Sequence, residues 1–95
     1  MSDFHRVAQR PRRSPGVQVT DRGGDAKLVD GSGTPVLALN DTALAIWDLC
    51  DGATAIEEMV EAVVTAFAVD LPEATADVED VIGRLGRMGV LDDNA

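Results

Sequence analysis

The most regular pattern of apolar and polar positions in this chain lies between residues 56 and 67. Apolar side chains recur there at intervals of three and four residues, while Glu57, Glu58 and Glu61 fall outside this stripe. The spacing predicts an amphipathic helix whose apolar face covers a core. Thr54 and Glu57 form a capping-box pattern, so we expect the Thr54 hydroxyl to accept a backbone N–H and Glu57 to reach back. The stripe consists of Ile56, Met59, Val60, Val63, Val64 and Phe67.

Two further helices are predicted, one before and one after this helix. The first begins at Asn40 or Asp41, which are favourable N-cap residues, and runs to about Cys50. The other opens at Pro72, since proline is tolerated in a first turn, and ends near Gly89. Their apolar stripes are Ala43, Ile46, Trp47 and Cys50 in the first helix, and Val78, Val81, Ile82, Leu85 and Met88 in the other.

The first part of the chain has shorter runs that are typical of strands. Residues 17–20, 26–29 and 35–39 are apolar or alternating, and glycine-rich turn clusters separate them. Short strands with tight connections predict a three-stranded antiparallel meander. Pro35 cannot donate to a strand ladder, which suits either the start of a strand or an exposed edge. Because this strand is the last of the meander, we expect it to lie at an edge.

Together these elements predict an α+β fold. A three-stranded antiparallel meander followed by three helices is a winged helix-turn-helix-like arrangement. A length of 95 residues allows one domain. We expect a flexible basic N-terminal arm over residues 1–15, a folded domain over residues 16–92, and a tail over residues 93–95.

Charge is distributed unevenly along the chain, whose formal net charge is −9. Residues 1–15 contain four arginines and one acid, whereas residues 41–95 contain thirteen acids and two arginines. The folded part therefore repels nucleic-acid phosphates, and only the basic arm could attract them. We expect no nucleic-acid partner; the alternative is a DNA-binding winged-helix transcription regulator that works through this arm.

The residue types that usually perform catalysis are scarce. The only histidine is His5, in the expected arm, and the only cysteine is Cys50, on the apolar face of a predicted helix. One cysteine and one histidine do not make a zinc site, and the glycine-rich stretch lacks the lysine of a phosphate-binding loop. We therefore predict a protein that is not an enzyme, with no metal and no cofactor, and with Cys50 in the core.

Features of membrane and secreted proteins are missing from the sequence. No apolar run is long enough to span a bilayer, and the first residues show no signal sequence. One cysteine cannot form an internal disulfide, so we expect a cytoplasmic protein with no membrane partner. An acyl carrier of similar size would need a serine at a helix start, and Ser2, Ser14 and Ser32 lie elsewhere.

An edge strand beside a helix offers a site for another chain. If the helix at residues 72–88 packs beside the strand at residues 35–39, an extended peptide could add a fourth strand through main-chain hydrogen bonds. Gly83 and Gly86, on one flank of that helix, would let the peptide approach closely.

The stretch from residue 37 to residue 52 resembles the signature of the PqqD-like proteins, which are the recognition elements of RiPP precursor peptides. The family pattern is approximately Leu-Asn-x-Thr-Ala-x-x-Ile-Trp-x-Leu-x-Asp-Gly, and the resemblance extends over about residues 10–92. The matching residues here are Leu39, Asn40, Thr42, Ala43, Ile46, Trp47, Leu49, Asp51 and Gly52.

The resemblance implies that residues 16–92 bind the leader region of a ribosomally synthesised precursor peptide by β-strand addition. It also implies a modifying enzyme as a second partner, such as a radical SAM enzyme, a cyclase or a leader peptidase. Carried over by position, the leader pairs with the third strand and lies against the third helix. The expected peptide-binding residues are Val36, Leu37, Ala38, Leu39, Val78, Val81, Ile82 and Leu85.

Several positions bear on the details of this expected groove. Asn40, Trp47, Asp51 and Gly52 match the signature, but we assign them to capping and to the core. The turn at residues 31–35 and the extra residue at 70–72 depart from the family pattern, which affects the groove and not the fold. Six acids of the last two helices form a solvated face or, alternatively, a surface for a basic leader or enzyme. They are Glu57, Glu58, Glu61, Asp77, Glu79 and Asp80.

Overall fold

The computed structural model describes residues 10–92, and its elements follow the predicted order of strands and then helices. An α+β class with a strand meander and three helices is confirmed. The likeness to a winged helix-turn-helix stays a prediction. The strands are β1 (Arg12–Arg13), β2 (Gln18–Arg22), β3 (Asp25–Val29), β4 (Pro35–Leu39) and β5 (Leu91–Asp92), and the helices are α1 (Asp41–Leu49), α2 (Ile56–Phe67) and α3 (Leu71–Arg87).

The main sheet is antiparallel and has the strand order β2-β3-β4. The two-residue turn Gly23-Gly24 joins β2 to β3, and both glycines have positive φ, 64° and 92°. A tight hairpin turn needs this conformation, which glycine adopts without a Cβ penalty. Between β3 and β4 the register shifts beyond Leu28, which leaves Val36 as an extra residue on β4.

A second sheet of two strands joins the two ends of the described chain. β1 pairs antiparallel with β5, and Pro11 beside it is fully buried. The Arg13 N–H donates to the Cys50 carbonyl at 2.9 Å, and the Ser14 N–H donates to the Val90 carbonyl at 2.9 Å. These bonds attach the start of the described chain to the end of α1 and to the segment after α3.

Residues 10–14 are therefore part of the fold, which corrects our expectation of an unstructured arm up to residue 15. No local pattern predicts this order, because the backbone bonds that hold these residues lead to Cys50, Gly52 and Val90, which lie far away along the chain. The remaining part of the expected arm, residues 1–9, and the expected tail, residues 93–95, lie outside the described residues.

Two helices begin at side-chain caps. The side-chain oxygen of Asn40 accepts the Ala43 N–H at 2.8 Å, so Asn40 is the N-cap of α1, as predicted. Asp70 accepts the Glu73 N–H at 3.0 Å in the same way. This cap places the start of α3 at Leu71, one residue before the predicted start.

The predicted capping box at the start of α2 is wrong by one residue. The N-cap is Ala55, whose N–H donates to the Glu58 carboxylate at 2.7 Å, and Glu57 is exposed. The Thr54 hydroxyl donates to the Asp51 carboxylate at 3.1 Å, and the Thr54 N–H donates to the same group at 2.8 Å. Thr54 is thereby held in the turn before the helix and does not cap it.

Gly89 ends α3, as predicted, from the position after the C-cap Met88. Its φ is 74°, and its N–H donates to the Gly86 carbonyl at 3.2 Å. The Val90 N–H donates to the Leu85 carbonyl at 3.2 Å. This pair of bonds is a Schellman motif, which satisfies two of the last carbonyls of the helix.

The core lies between one face of the main sheet and the three helices. Leu28 of β3, Ile46 of α1, Met59 of α2 and Leu85 of α3 are completely buried. Burying each such side chain stabilises the fold by about 1.5–3 kcal/mol. Cys50 lies in the same core, as predicted. Within residues 10–92, no helix has the length and apolar character that a bilayer span requires.

Candidate functional site

β4 forms one edge of the main sheet, as predicted. It pairs with β3 on one side, and within residues 10–92 no strand pairs with its other side. An edge strand presents N–H and C=O groups without partners in the ladder, and added strands attach through these groups. The backbone of β4 is therefore the first candidate feature for binding another chain.

The register of the sheet determines which backbone groups of β4 point outwards. The two-residue turn requires Arg22 and Asp25 to form a hydrogen-bonded pair. Bonded and non-bonded pairs alternate along an antiparallel ladder, so Lys27 directs its N–H and C=O to Thr20 on β2. Ala38 lies opposite Lys27 on the other side. It must therefore direct its own N–H and C=O away from β3, to the open edge.

A surface pocket of about 140 Å³ lies where the end of β4 meets α1 and α3. Asp77 in this pocket is half-buried, and no partner for its carboxylate occurs among the described residues. Asp80 and Arg84 form an ion pair at 3.2 Å, with each side chain 56% exposed. Two carboxylates and one guanidinium give the pocket a formal charge of −1. The lining residues are Ala38, Asn40, Thr42, Ala43, Asp77, Asp80, Val81 and Arg84.

Four of the eight predicted peptide-binding residues have buried side chains. Val78 and Leu85 are 0% exposed, Ile82 is 2% exposed and Leu39 is 7% exposed. Their side chains pack in the core, where they hold β4 and α3 in place. A role for these four residues in binding stays a prediction. Their side chains would act only by holding β4 and α3 in position.

The other four predicted residues reach the surface to different extents. Val36, Leu37 and Val81 are half-buried and pack against the core, and Ala38 is exposed. Ala38 of β4 and Val81 of α3 both line the pocket. The structure therefore brings together two of the eight predicted residues at one concave site beside the open strand edge.

The charged residues of this pocket are not among the eight predicted peptide-binding residues. Asp77 and Arg84 are four positions before and three positions after Val81, so all three lie on one face of α3. The predicted residues of α3 were those of its apolar stripe, and most of these lie on the buried face of the helix. The helical spacing around the half-buried Val81 was the signal that could have identified both charged residues.

The two glycines of α3 have open space beside them. A Cβ at Gly86 would meet no atom within 4 Å, and a Cβ at Gly83 would meet the Arg87 guanidinium at 3.4 Å. No packing within residues 10–92 therefore requires glycine at these positions. Close approach of a peptide there stays a prediction.

Of the four signature positions that we assigned to capping and to the core, Asn40 and Trp47 have these roles, whereas Asp51 and Gly52 lie exposed between α1 and α2. Asn40 caps α1, and Trp47 is 3% exposed in the core. The Asp51 carboxylate accepts N–H groups from Ala53 and Thr54, and these bonds lower the pKa of Asp51.

The burial of Cys50 and the clustering of the acidic side chains bear on catalysis and metal binding. Burial raises the pKa of the Cys50 thiol to about 12, so this cysteine is a neutral core residue at physiological pH. Within residues 10–92, no group of three or more histidine, cysteine or acidic side chains could hold a metal ion. What the site offers is backbone hydrogen bonding and a small charged pocket.

Fold and site together define a small α+β domain in which the sheet edge β4 lies beside a pocket formed with two helices, a form suited to binding another polypeptide. The sequence model of the family described as "Coenzyme PQQ synthesis protein D (PqqD)" matches residues 27–91. The chain therefore belongs to the PqqD family, which confirms the resemblance found in its sequence signature. A search of curated proteins finds no match to the chain.

Two solved structures share this fold. One is described as "TbiB1 in Complex with the TbiA(beta) Leader Peptide"; it has 25% sequence identity and a TM-score of 0.71, and the match covers 88% of this chain and 98% of that chain. The other is described as "Lasso peptide synthetase B1 complexed with the leader peptide"; it has 23% identity and a TM-score of 0.72, with coverage of 87% and 98%.

Proposed function

We propose that this protein binds the leader region of a ribosomally synthesised precursor peptide by β-strand addition at β4. The observation that carries this proposal is the outward N–H and C=O of Ala38, next to a pocket formed with α1 and α3. A peptide strand beside β4 would bond to these groups, and its alternate side chains would face α3.

The solved relatives support the same use of the fold. Both are described as complexes with a leader peptide, and both are covered almost completely by the match to this chain. Membership of the PqqD family is consistent with a part in the synthesis of a peptide-derived product.

We propose further that the bound leader is presented to a modifying enzyme, such as a radical SAM enzyme, a cyclase or a leader peptidase. Holding the leader beside such an enzyme raises the effective concentration of the peptide to be modified. In this scheme the protein performs no chemical step of its own.

For the alternative of DNA binding by α3, the exposed surface of this helix carries charge of the wrong sign. Glu73, Glu79 and Asp80 are exposed on this helix, against Arg84 and Arg87 in its last turn. Exposed carboxylates repel the phosphates that a recognition helix must approach. No described contact favours a duplex, so DNA serves as the comparison ligand in the test below.

The proposal is tested by an amide-shift NMR titration of the labelled protein with the leader segment of the precursor peptide encoded beside its gene. We expect shifts to cluster at residues 36–40 and 77–88. Shifts produced only by a DNA duplex, or a leader that causes none at β4, would overturn the proposal.

A pair of proline variants tests the strand-addition mechanism. Ala38→Pro removes the outward N–H of β4 and leaves the bonds to β3 in place, so the variant should fold but lose leader binding. Asp21→Pro is the matched control, since Asp21 lies opposite Ala26 in a non-bonded pair on the other sheet edge. Equal affinity of both folded variants for the leader would contradict strand addition at β4.

A further inference from the structure

We infer that the pocket beside Ala38 selects a basic side chain, lysine or arginine, at one position of the bound peptide. This inference rests on the proposed function, because the pocket lies beside the strand edge that the peptide would occupy. It concerns which peptides are accepted and goes beyond the binding of a leader in general.

The direction of the side chains follows from the sheet. Leu39 is buried on the face of the sheet that the helices cover, whereas the side chain of its neighbour Ala38 is exposed. Residues paired across two strands point to the same face. The peptide residues on either side of the one opposite Ala38 would therefore point to the helix side of the sheet, where Val81 and Asp77 line the pocket.

The charges of the pocket favour a cation. Asp80 is already paired with Arg84, whereas Asp77 has no partner among the described residues. An acidic peptide side chain would be repelled by the Asp77 carboxylate. An apolar side chain would remove water from this carboxylate without giving it a hydrogen bond in return. A lysine or arginine would pair with Asp77 and satisfy it.

The apolar lining fits the stem of a basic side chain. Ala43 and Val81 contribute methyl groups to the lining of the pocket. Lysine and arginine place their methylene stems along such surface while their charged heads reach polar groups at the rim. The net charge of −9 on the whole chain adds a field of the same sign.

The test is a selection of random peptides displayed on phage by the immobilised full-length protein. We expect the enriched peptides to share a lysine or arginine at one fixed position. Replacing that residue by glutamine in a synthetic copy should weaken binding about fivefold, the size expected for a partly exposed ion pair.

Three variants, checked for folding by circular dichroism, complete the design. Asp77→Asn should bind the basic peptide and its glutamine copy equally well. Glu79→Gln removes the same charge from an exposed residue of α3 that does not line the pocket, and it should keep the full difference. Asp77→Lys should change the selected residue to aspartate or glutamate.

The outcomes separate this inference from the function on which it rests. Enrichment of peptides with no basic preference, unchanged in Asp77→Asn, would overturn the inference and leave peptide binding at β4 intact. No enrichment above that of Ala38→Pro would overturn both. A basic preference that Asp77→Asn and Glu79→Gln reduce equally would also overturn the inference, since it would reflect overall charge and not the pocket.

Discussion

Arg13 lies over the indole ring of Trp47, with its guanidinium carbon 5.9 Å from the ring centroid. The Nη1 group of the same guanidinium donates to the carbonyls of Trp47 and Asp48, at 3.0 Å each. A cation at the end of a helix provides donors for its last carbonyls and opposes the negative end of the helix dipole. Arg13 thus joins β1 to the C-terminal end of α1.

We expect Arg13→Ala to lower the free energy of unfolding by about 2 kcal/mol, because it removes two charge-assisted hydrogen bonds and the ring contact. Arg12→Ala is the control: the ion pair of Arg12 with Asp92 is 52% and 21% exposed, and its loss should cost at most about 1 kcal/mol. Urea unfolding followed by circular dichroism measures both values. Equal losses would show that Arg13 has no special role.

Ala68 has a left-handed backbone, with φ 54°, at the C-cap of α2. This conformation costs a residue with a Cβ about 1 kcal/mol relative to glycine, so Ala68→Gly should stabilise the protein by that amount. The same change two positions earlier, Ala66→Gly, lies at an exposed position within the helix and should destabilise it. Opposite shifts in the urea midpoint are expected, and shifts of the same sign would contradict the argument.

The pKa of Asp51 is lowered from its ordinary value of 3.8 by N–H groups of Ala53 and Thr54. A lowered carboxyl pKa in the folded state contributes stability that is present above the unfolded value and is lost as pH falls through the folded value. Asp51→Asn should therefore be less stable than the parent at pH 6, with the gap closing as the pH falls below 3.8. Thermal unfolding at a series of pH values checks this prediction, and a gap independent of pH would refute it.

Cys50 is the single cysteine of the chain and is completely buried, and its thiol pKa is raised to about 12. A thiol reagent at pH 8 should therefore leave the native protein unmodified and label one group after unfolding in urea. Any slow labelling of the native protein should depend on its transient opening. Rapid labelling of the native protein would place Cys50 at the surface.

Val81 is the apolar residue of α3 that lines the pocket. We expect Val81→Asp to abolish leader binding while the fold is retained, because it replaces the apolar side chain on which the peptide would pack by a charged group that binding would desolvate. Leu71→Asp is the matched control, since Leu71 is 60% exposed on the same helix and does not line the pocket. Fluorescence anisotropy of a labelled leader peptide measures the affinity of each variant. A folded Val81→Asp protein with parental affinity would move the binding site away from the pocket.

Features of this protein that depend on neighbouring residues could be predicted from its sequence. The intervals of three and four between apolar residues placed three helices, Asn40 marked the start of α1, and Gly89 marked the end of α3. These signals are local, because a cap or an apolar stripe acts within one or two turns. The signature from Leu39 to Gly52 indicated the PqqD family for the same reason, since its residues cap and pack one continuous segment.

Which groups are available to a partner depends on contacts between distant parts of the chain. The outward direction of Ala38 depends on the pairing of Lys27 with Thr20 on another strand. Ala38 and Asp77 line the same pocket, and Arg12 bonds to Asp92 across 80 residues. No local sequence pattern connects either pair. A one-residue change of register would turn every side chain of a strand to the other face of the sheet. The register is fixed by strand pairing and by the core, and these contacts therefore depend on the assembled fold.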